Sequence, residues 1–201
     1  NDISDLQPAI KEIVRYINEE DKDFTIRIHA GENDSLRNNV RKSIMCVKES
    51  LEKEQEMPRC RIGHGLYSED LNTESGKELL KLMKDTGVVI EFQLTSNVRL
   101  NNLSDLKNHP IKIFLKNGIK CVQGTDGGGM YGSDTFDEQL ALQNLLELSD
   151  DEFAKMREVE DEITTKNNIY FMQKSEKFDK FLSGRTIKEA ILEEEDKYMK
   201  E

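Results

Sequence analysis

A strand followed by a helix recurs four times in this sequence, at intervals of roughly thirty residues, and this repeat limits the fold more than any other feature. Short runs rich in β-branched or apolar residues predict the strands, at 24–28, 59–62, 88–94 and 119–123. Apolar residues at helical spacing follow these runs, at 35–55, 76–86, 111–116 and 134–148, and a further amphipathic helix is predicted over 3–18. This order predicts an α/β fold with the layout of a TIM-type (β/α)8 barrel, of which the sequence supplies four β/α units.

Each predicted strand ends in polar residues or glycines. The four ends are His29-Ala30-Gly31-Glu32, Gly63-His64-Gly65, Thr95-Ser96-Asn97 and Gly124-Thr125-Asp126. The carboxyl ends of parallel barrel strands meet on one rim, where barrel enzymes carry their active sites. The first end alone offers an imidazole for a metal or a proton, a glycine that lets the backbone approach a ligand, and a carboxyl group for acid–base chemistry.

The composition argues against several classes of partner. A formal net charge of -11 disfavours direct binding to nucleic acid or to an anionic membrane. No apolar run approaches the length of a membrane span, and no secretory leader opens the sequence. Cys46, Cys60 and Cys121 are widely spaced, which is typical of reduced core thiols. These features predict a cytoplasmic protein, and the first residue, Asn1, suggests a processed or excised piece.

In their order and spacing, the four strand ends resemble the adenosine deaminase family of metal-dependent amidohydrolases. His109-Pro110, before the fourth strand, is similar to a short His-Pro motif of that family. The resemblance covers about the first 150 residues. It implies that residues 1–148 form the C-terminal half of a (β/α)8 barrel, and that 149–201 form a charged helical tail that packs on the barrel.

The resemblance implies a zinc-dependent hydrolytic deamination of a purine nucleoside. Zinc lowers the pKa of its bound water toward neutrality, the water adds to the ring carbon that bears the exocyclic amine, and ammonia leaves. Carried over by position, His29 and Asp126 resemble metal ligands of the family.

The resemblance also implies roles for the remaining strand-end residues. Glu32 resembles the acid that protonates the ring nitrogen beside the attacked carbon, and His64 the residue that orients the water and moves its proton. Gly31 and Gly63 would line the substrate pocket. Gly127 stands where the family has a second aspartate that contacts the purine, so we expect this position to alter substrate preference.

The metal site predicted in this way is incomplete. The family's other two ligands form a His-x-His pair on its first strand, whereas the three histidines here, His29, His64 and His109, are not so spaced. A catalytic zinc ion normally takes at least three protein ligands. We therefore expect a missing N-terminal half-barrel or a second chain to complete the site. Two alternatives are a non-catalytic remnant or assembly module of the same fold, and a related amidohydrolase acting on another purine or a nucleotide.

Overall fold

A computed structural model of the protein describes residues 2–100, 102–103 and 105–166. The chain divides into two units, residues 1–160 and 161–201, and the sheet and the candidate site belong to the first. Of the second unit, only 161–166, at the end of a helix, are described. The sequence also predicts a final helix over 186–200, a solvated acidic run at 193–196 and packing of Phe171, Phe178, Phe181 and Leu182 on the barrel, and all of these residues lie outside the described part of the chain.

The core of the first unit is a parallel sheet of four strands: β1 (Thr25–Ala30), β2 (Arg59–His64), β3 (Val89–Phe92) and β4 (Lys120–Gln123). The strands lie in the order β1-β2-β3-β4, so each crossover adds the next strand beside the last. Consecutive neighbours are typical of a (β/α) barrel. Among the described residues, no further strand pairs with the outer edges of β1 and β4. The predicted α/β fold and partial barrel are confirmed.

Helices precede, separate and follow the strands. The larger ones are α1 (Gln7–Glu19), α2 (Asn39–Glu49), α3 (Glu74–Thr86), α7 (Thr135–Leu145) and α8 (Asp150–Lys166). The shorter ones are α4 (Leu94–Arg99), α5 (Ile111–Lys116) and α6 (Gly128–Tyr131), with 3-10 turns at Ile3–Leu6, Asp34–Leu36 and Leu106–Asn108. In the part of the chain that the structure describes, no helix is long and apolar enough to cross a membrane.

Several predicted boundaries differ from the structure, and two of the differences have a clear physical reason. The helix predicted over 35–55 ends at Glu49, because the polar run 52–56 offers no apolar face to bury. The strand predicted over 88–94 ends at Phe92, and Leu94 already belongs to α4. The carboxylate of Glu138 on α7 accepts the first backbone N–H groups of α4, from Leu94 and Thr95, each at 3.1 Å. This cap, provided by a distant residue, stabilises a helix where the sequence alone indicates extended chain.

The two faces of the sheet differ in chemistry. Successive strand residues point to opposite faces, and one face buries a core that includes Ile28, Ile62 and Phe92. On the other face, Glu91 forms ion pairs with Arg27 and with Arg61, the second at 3.6 Å. The helices cover the core-facing side of the sheet. The opposite side, which carries the ion pairs of Glu91, would line the interior of a complete barrel and is therefore the inner face of the sheet.

Candidate active site

The carboxyl ends of β1, β2 and β4 bring together two imidazoles and a carboxylate. The potential ligand atoms of His29, His64 and Asp126 all lie within 4.8 Å of one another. The two imidazole rings are nearly perpendicular, with centroids 5.0 Å apart. Residues separated by up to 97 positions in the chain (126 - 29) thus form one cluster at the rim of the sheet.

The position of His29 depends on a glycine in the neighbouring strand. His29 lies on β1 in register with Gly63 of β2. A Cβ atom built on Gly63 would lie 2.7 Å from Cδ2 of the His29 ring, closer than real contacts allow. The absence of a side chain at residue 63 therefore leaves the space that the His29 imidazole occupies.

The backbone of His64 is in the left-handed region, with φ of 71°, which is uncommon for a residue other than glycine. Cys60 and Ile62, with which His64 shares the alternation of β2, are buried in the core. The left-handed conformation breaks that alternation, so the imidazole lies beside His29 at the rim. Such conformations persist only where the surrounding structure holds them, and they cluster at functional sites.

One ring nitrogen of His64 is fixed by a hydrogen bond. Nδ1 lies 3.0 Å from Oδ1 of Asn97, a carbonyl oxygen that can only accept. Nδ1 therefore carries the proton in the neutral ring, and Nε2 keeps its lone pair. Nε2 has no hydrogen-bond partner among the described residues and lies 3.9 Å from Oε1 of Glu32.

Burial lowers the pKa of His64, because the fully enclosed ring loses the hydration of its charged form. Glu32 and the hydrogen bond to Asn97 act in the opposite direction, and His29 adds to the lowering. The net effect favours the neutral imidazole, the form that can accept a proton or ligate a metal.

The residues flanking the cluster have clear structural reasons for their identity. Gly31 has φ of 72°, and an added Cβ would lie 2.4 Å from the carbonyl oxygen of Tyr67. It therefore allows the tight turn that carries the half-buried Glu32. Asp126 is exposed and also left-handed, with φ of 58°. Gly127 precedes α6, and a Cβ there would lie 3.3 Å from the ring of Tyr131.

Of the residues predicted for the site, the structure brings four into one region: His29, Glu32, His64 and Asp126. Gly63 lies against the His29 ring, and Gly31 and Gly127 are chain neighbours of Glu32 and Asp126. His109 is not part of this cluster. It lies after the Leu106–Asn108 turn with its ring 4.9 Å from that of Phe92.

Sequence reasoning missed the contacts that Gln93 and Asn97 make with His64. Gln93 falls within the predicted third strand, where nothing indicates a partner for its side chain, and Asn97 belongs to the third strand end, for which no catalytic role is predicted. The sequence does carry one signal, because Glu91 and Gln93 are polar residues within an otherwise apolar run. In the structure both side chains are buried. Buried polar side chains need hydrogen-bond partners.

The cluster has the donor chemistry of a zinc site. Imidazole nitrogen and carboxylate oxygen are common zinc ligands, and Nε2 of His64 is a buried lone pair without a hydrogen-bond donor among the described residues. His29 and Asp126, which are both exposed, leave the cluster open on the inner side of the sheet. The residues present therefore fit a metal ion and leave room for further ligands from outside these strands.

Comparison with known proteins identifies relatives for most of the chain. The family model described as adenosine deaminase matches residues 11–163. An adenosine deaminase from Plasmodium gallinaceum is 34% identical over 152 residues, covering 76% of this chain and 38% of that protein. One from Plasmodium falciparum is 29% identical over 171 residues, covering 85% and 39%, and one from Escherichia coli strain SMS-3-5 is 31% identical over 122 residues, covering 59% and 31%. This chain spans less than two fifths of the length of these three relatives.

Proposed function

Because this chain belongs to the adenosine deaminase family, we propose that it supplies part of the active site of a zinc-dependent purine nucleoside deaminase. The observation that carries the proposal is the cluster of His29, His64 and Asp126 beside Glu32. The reaction would take an adenosine-type nucleoside and water to an inosine-type nucleoside and ammonia. A bound zinc ion would lower the pKa of a coordinated water toward neutrality.

Each residue of the cluster has a role that matches its surroundings. His29 and Asp126 would hold the metal through an imidazole nitrogen and a carboxylate oxygen. His64, with its proton fixed on Nδ1, would use the lone pair on Nε2 to orient the attacking water and accept its proton. Glu32 would donate a proton to the purine ring nitrogen, which offsets the loss of aromatic delocalisation. Gly31 and Gly63 would leave space for the substrate.

We propose that a second half-barrel, in the same polypeptide or in another chain, completes both the sheet and the metal site. Among the described residues, the outer edges of β1 and β4 have no partner strand, and the chain is much shorter than its relatives. The family's His-x-His pair, absent from this sequence, would come from that half. Residues 1–148 would be the half-barrel and 149–201 its tail. Met156 of α8, only 2% exposed, supports packing of the start of that tail.

As a second candidate substrate we propose a purine other than adenosine, because Gly127 provides no carboxylate at the position of the family's purine-contacting aspartate. A missing hydrogen bond to a buried purine nitrogen would cost about 1–3 kcal/mol of binding. Substrates should therefore be compared as a panel: adenosine, other aminopurine nucleosides and a nucleotide.

Two protein forms test the proposal. The 201-residue chain alone should bind zinc weakly, release no ammonia and self-associate through its open strand edges. A chimera, in which residues 11–163 replace the matching segment of the Plasmodium gallinaceum adenosine deaminase, should bind one zinc ion and deaminate a member of the panel. Glu32→Gln in this chimera should lower turnover by about 10²–10⁴-fold, whereas Glu78→Gln, on an exposed face of α3, should leave it unchanged.

The outcomes separate the two parts of the proposal. A chain that is monomeric alone, with stoichiometric tight zinc and measurable ammonia release, would contradict the need for a second half-barrel. A folded, zinc-loaded chimera that deaminates no purine of the panel would contradict the deaminase assignment and favour an assembly module. Near-normal turnover of the Glu32→Gln chimera would contradict the role of that residue alone.

A further inference from the structure

The left-handed backbone of His64 is held by a side chain from the neighbouring strand end. The backbone N–H of His64 donates a hydrogen bond of 2.9 Å to Oε1 of Gln93, and both residues are fully buried. In a buried environment this N–H would otherwise lack the partner that backbone groups require. The bond joins the end of β2 to the residue that follows β3.

The orientation of the Gln93 amide is set by a second residue. Nε2 of Gln93 donates a hydrogen bond of 3.1 Å to Oε1 of Glu91. An ionised carboxylate can only accept, so the NH₂ group must face Glu91. The carbonyl oxygen of the amide is thereby directed at His64, where an acceptor is needed.

Glu91 is itself held in place from the inner face of the sheet. Arg27 of β1 and Arg61 of β2 form ion pairs with its carboxylate. Gly124, after β4, leaves room for that carboxylate, since a Cβ built there would lie 2.6 Å from Oε1 of Glu91. Residues from all four strands or strand ends therefore converge on the group that orients Gln93.

We infer that Gln93 is a positioning residue for His64, and that Glu91 fixes the direction of the Gln93 amide. The consequence of this positioning for catalysis rests on the proposed function, in which His64 orients the attacking water and accepts its proton. Asn97 fixes which ring nitrogen carries the proton, whereas Gln93 fixes the backbone from which the ring projects.

Hydrogen exchange and ¹⁵N NMR on the full 201-residue chain, without metal or substrate, test the inference. In the unsubstituted chain the His64 amide should be protected. Gln93→Met, which keeps an unbranched side chain of similar length but replaces the amide oxygen by a weakly accepting thioether, should speed exchange of that amide about tenfold and weaken the preference for a proton on Nδ1. Gln123→Met is the matched control, because Gln123 ends the adjacent strand and donates to the carbonyl oxygen of Thr135.

A double variant that exchanges the residues at positions 91 and 93 should restore the protection of the His64 amide. In Glu91→Gln/Gln93→Glu the new carboxylate at 93 can accept from both His64 and the new amide at 91, so the His64 amide should stay protected. If Gln93 only filled space, the His64 amide would stay protected in Gln93→Met, because that variant preserves side-chain volume. The amide would lose protection in the double variant, because that variant moves a charge. Protection that survives Gln93→Met, or is lost in the double variant while the rest of the chain stays folded, would overturn the inference.

The test keeps the inference apart from the proposed function. Rapid exchange of the His64 amide in the unsubstituted chain would overturn the inference even if Gln93→Met failed to fold. In the chimera, Gln93→Met should lower kcat with KM nearly unchanged, as expected for a misplaced catalytic group. An inactive chimera would contradict the deaminase proposal but leave the NMR result in force.

Discussion

His64 and His109 are both buried histidines, yet the structure gives them opposite chemistry. His64, at the carboxyl end of β2, donates from Nδ1 to the side-chain oxygen of Asn97. His109, in the connection before α5, accepts at Nδ1 from the backbone N–H of Ile111 at 3.3 Å. In the neutral rings the lone pair is therefore on Nε2 in His64 and on Nδ1 in His109. Only the first is available for a metal or a water.

The surroundings of the two rings reinforce the difference. His64 has a left-handed backbone and lies near the ring of His29 and the carboxylate of Glu32. His109 has an ordinary extended backbone and packs against Phe92. Burial alone does not separate a site histidine from a structural one. The partner of Nδ1, and the groups near Nε2, do.

The largest expected effect is on turnover. In the chimera, His64→Ala should lower deamination by about 10²–10⁴-fold, because the proton acceptor is removed. Zinc content should remain stoichiometric if His64 orients the water and is not a ligand. His109→Asn, which retains an acceptor for the Ile111 amide, should leave turnover unchanged.

Zinc analysis of the same variants tests the different roles assigned to His64 and His109. Loss of zinc with His64→Ala would make that residue a metal ligand. A large loss of turnover with His109→Asn, in a folded and zinc-loaded chimera, would contradict the structural assignment of His109.

The next effect concerns acid stability. Burial lowers the pKa of His109 from 6.5 to about 4, so the unfolded chain binds a proton more readily than the folded one between these values. This contribution to stability is complete above pH 6.5 and is lost as the pH falls toward 4, at a cost of about 3 kcal/mol. Urea unfolding of the 201-residue chain at several pH values should show this slope, and His109→Asn should reduce it. An unchanged slope would mean that His109 is not buried as a neutral ring.

The smallest expected effect is a fall in folding stability as the pH rises, which is opposite in sign to the effect of His109. It comes from Glu138, which holds the helix that carries Asn97. Glu138, which caps the helix that carries Asn97, has its pKa raised from 4.5, chiefly by burial, although the N–H groups of Leu94 and Thr95 act against this. The folded state therefore holds this proton more tightly, and stability falls as the pH rises through 4.5.

Unfolding experiments on Glu138→Gln measure this contribution. Its stability should decline less than that of the unsubstituted chain as the pH rises above 4.5, and the exposed Glu78→Gln should serve as the control. A steeper decline in Glu138→Gln would show that its hydrogen bonds to α4, and not its burial, dominate the titration.

The sequence by itself determined the repeat and the location of the site. Strand and helix periodicity predicted four parallel β/α units, because alternation and helical spacing are local properties of the chain. The strand ends predicted His29, Glu32, His64 and Asp126 as neighbours, since parallel strands bring their carboxyl ends to one rim. The roles of these residues in zinc binding and proton transfer stay predictions.

Only the tertiary structure decided how the site residues are held. The hydrogen bonds from His64 to Gln93 and Asn97 join residues 29 and 33 positions apart, and Glu138 determines the start of α4 from 44 positions away. Such partners are chosen by the packing of strands and helices against one another, which brings buried donors and acceptors into contact. Local periodicity carries no information on those distances, so Gln93 has no visible role until β2 and β3 lie side by side.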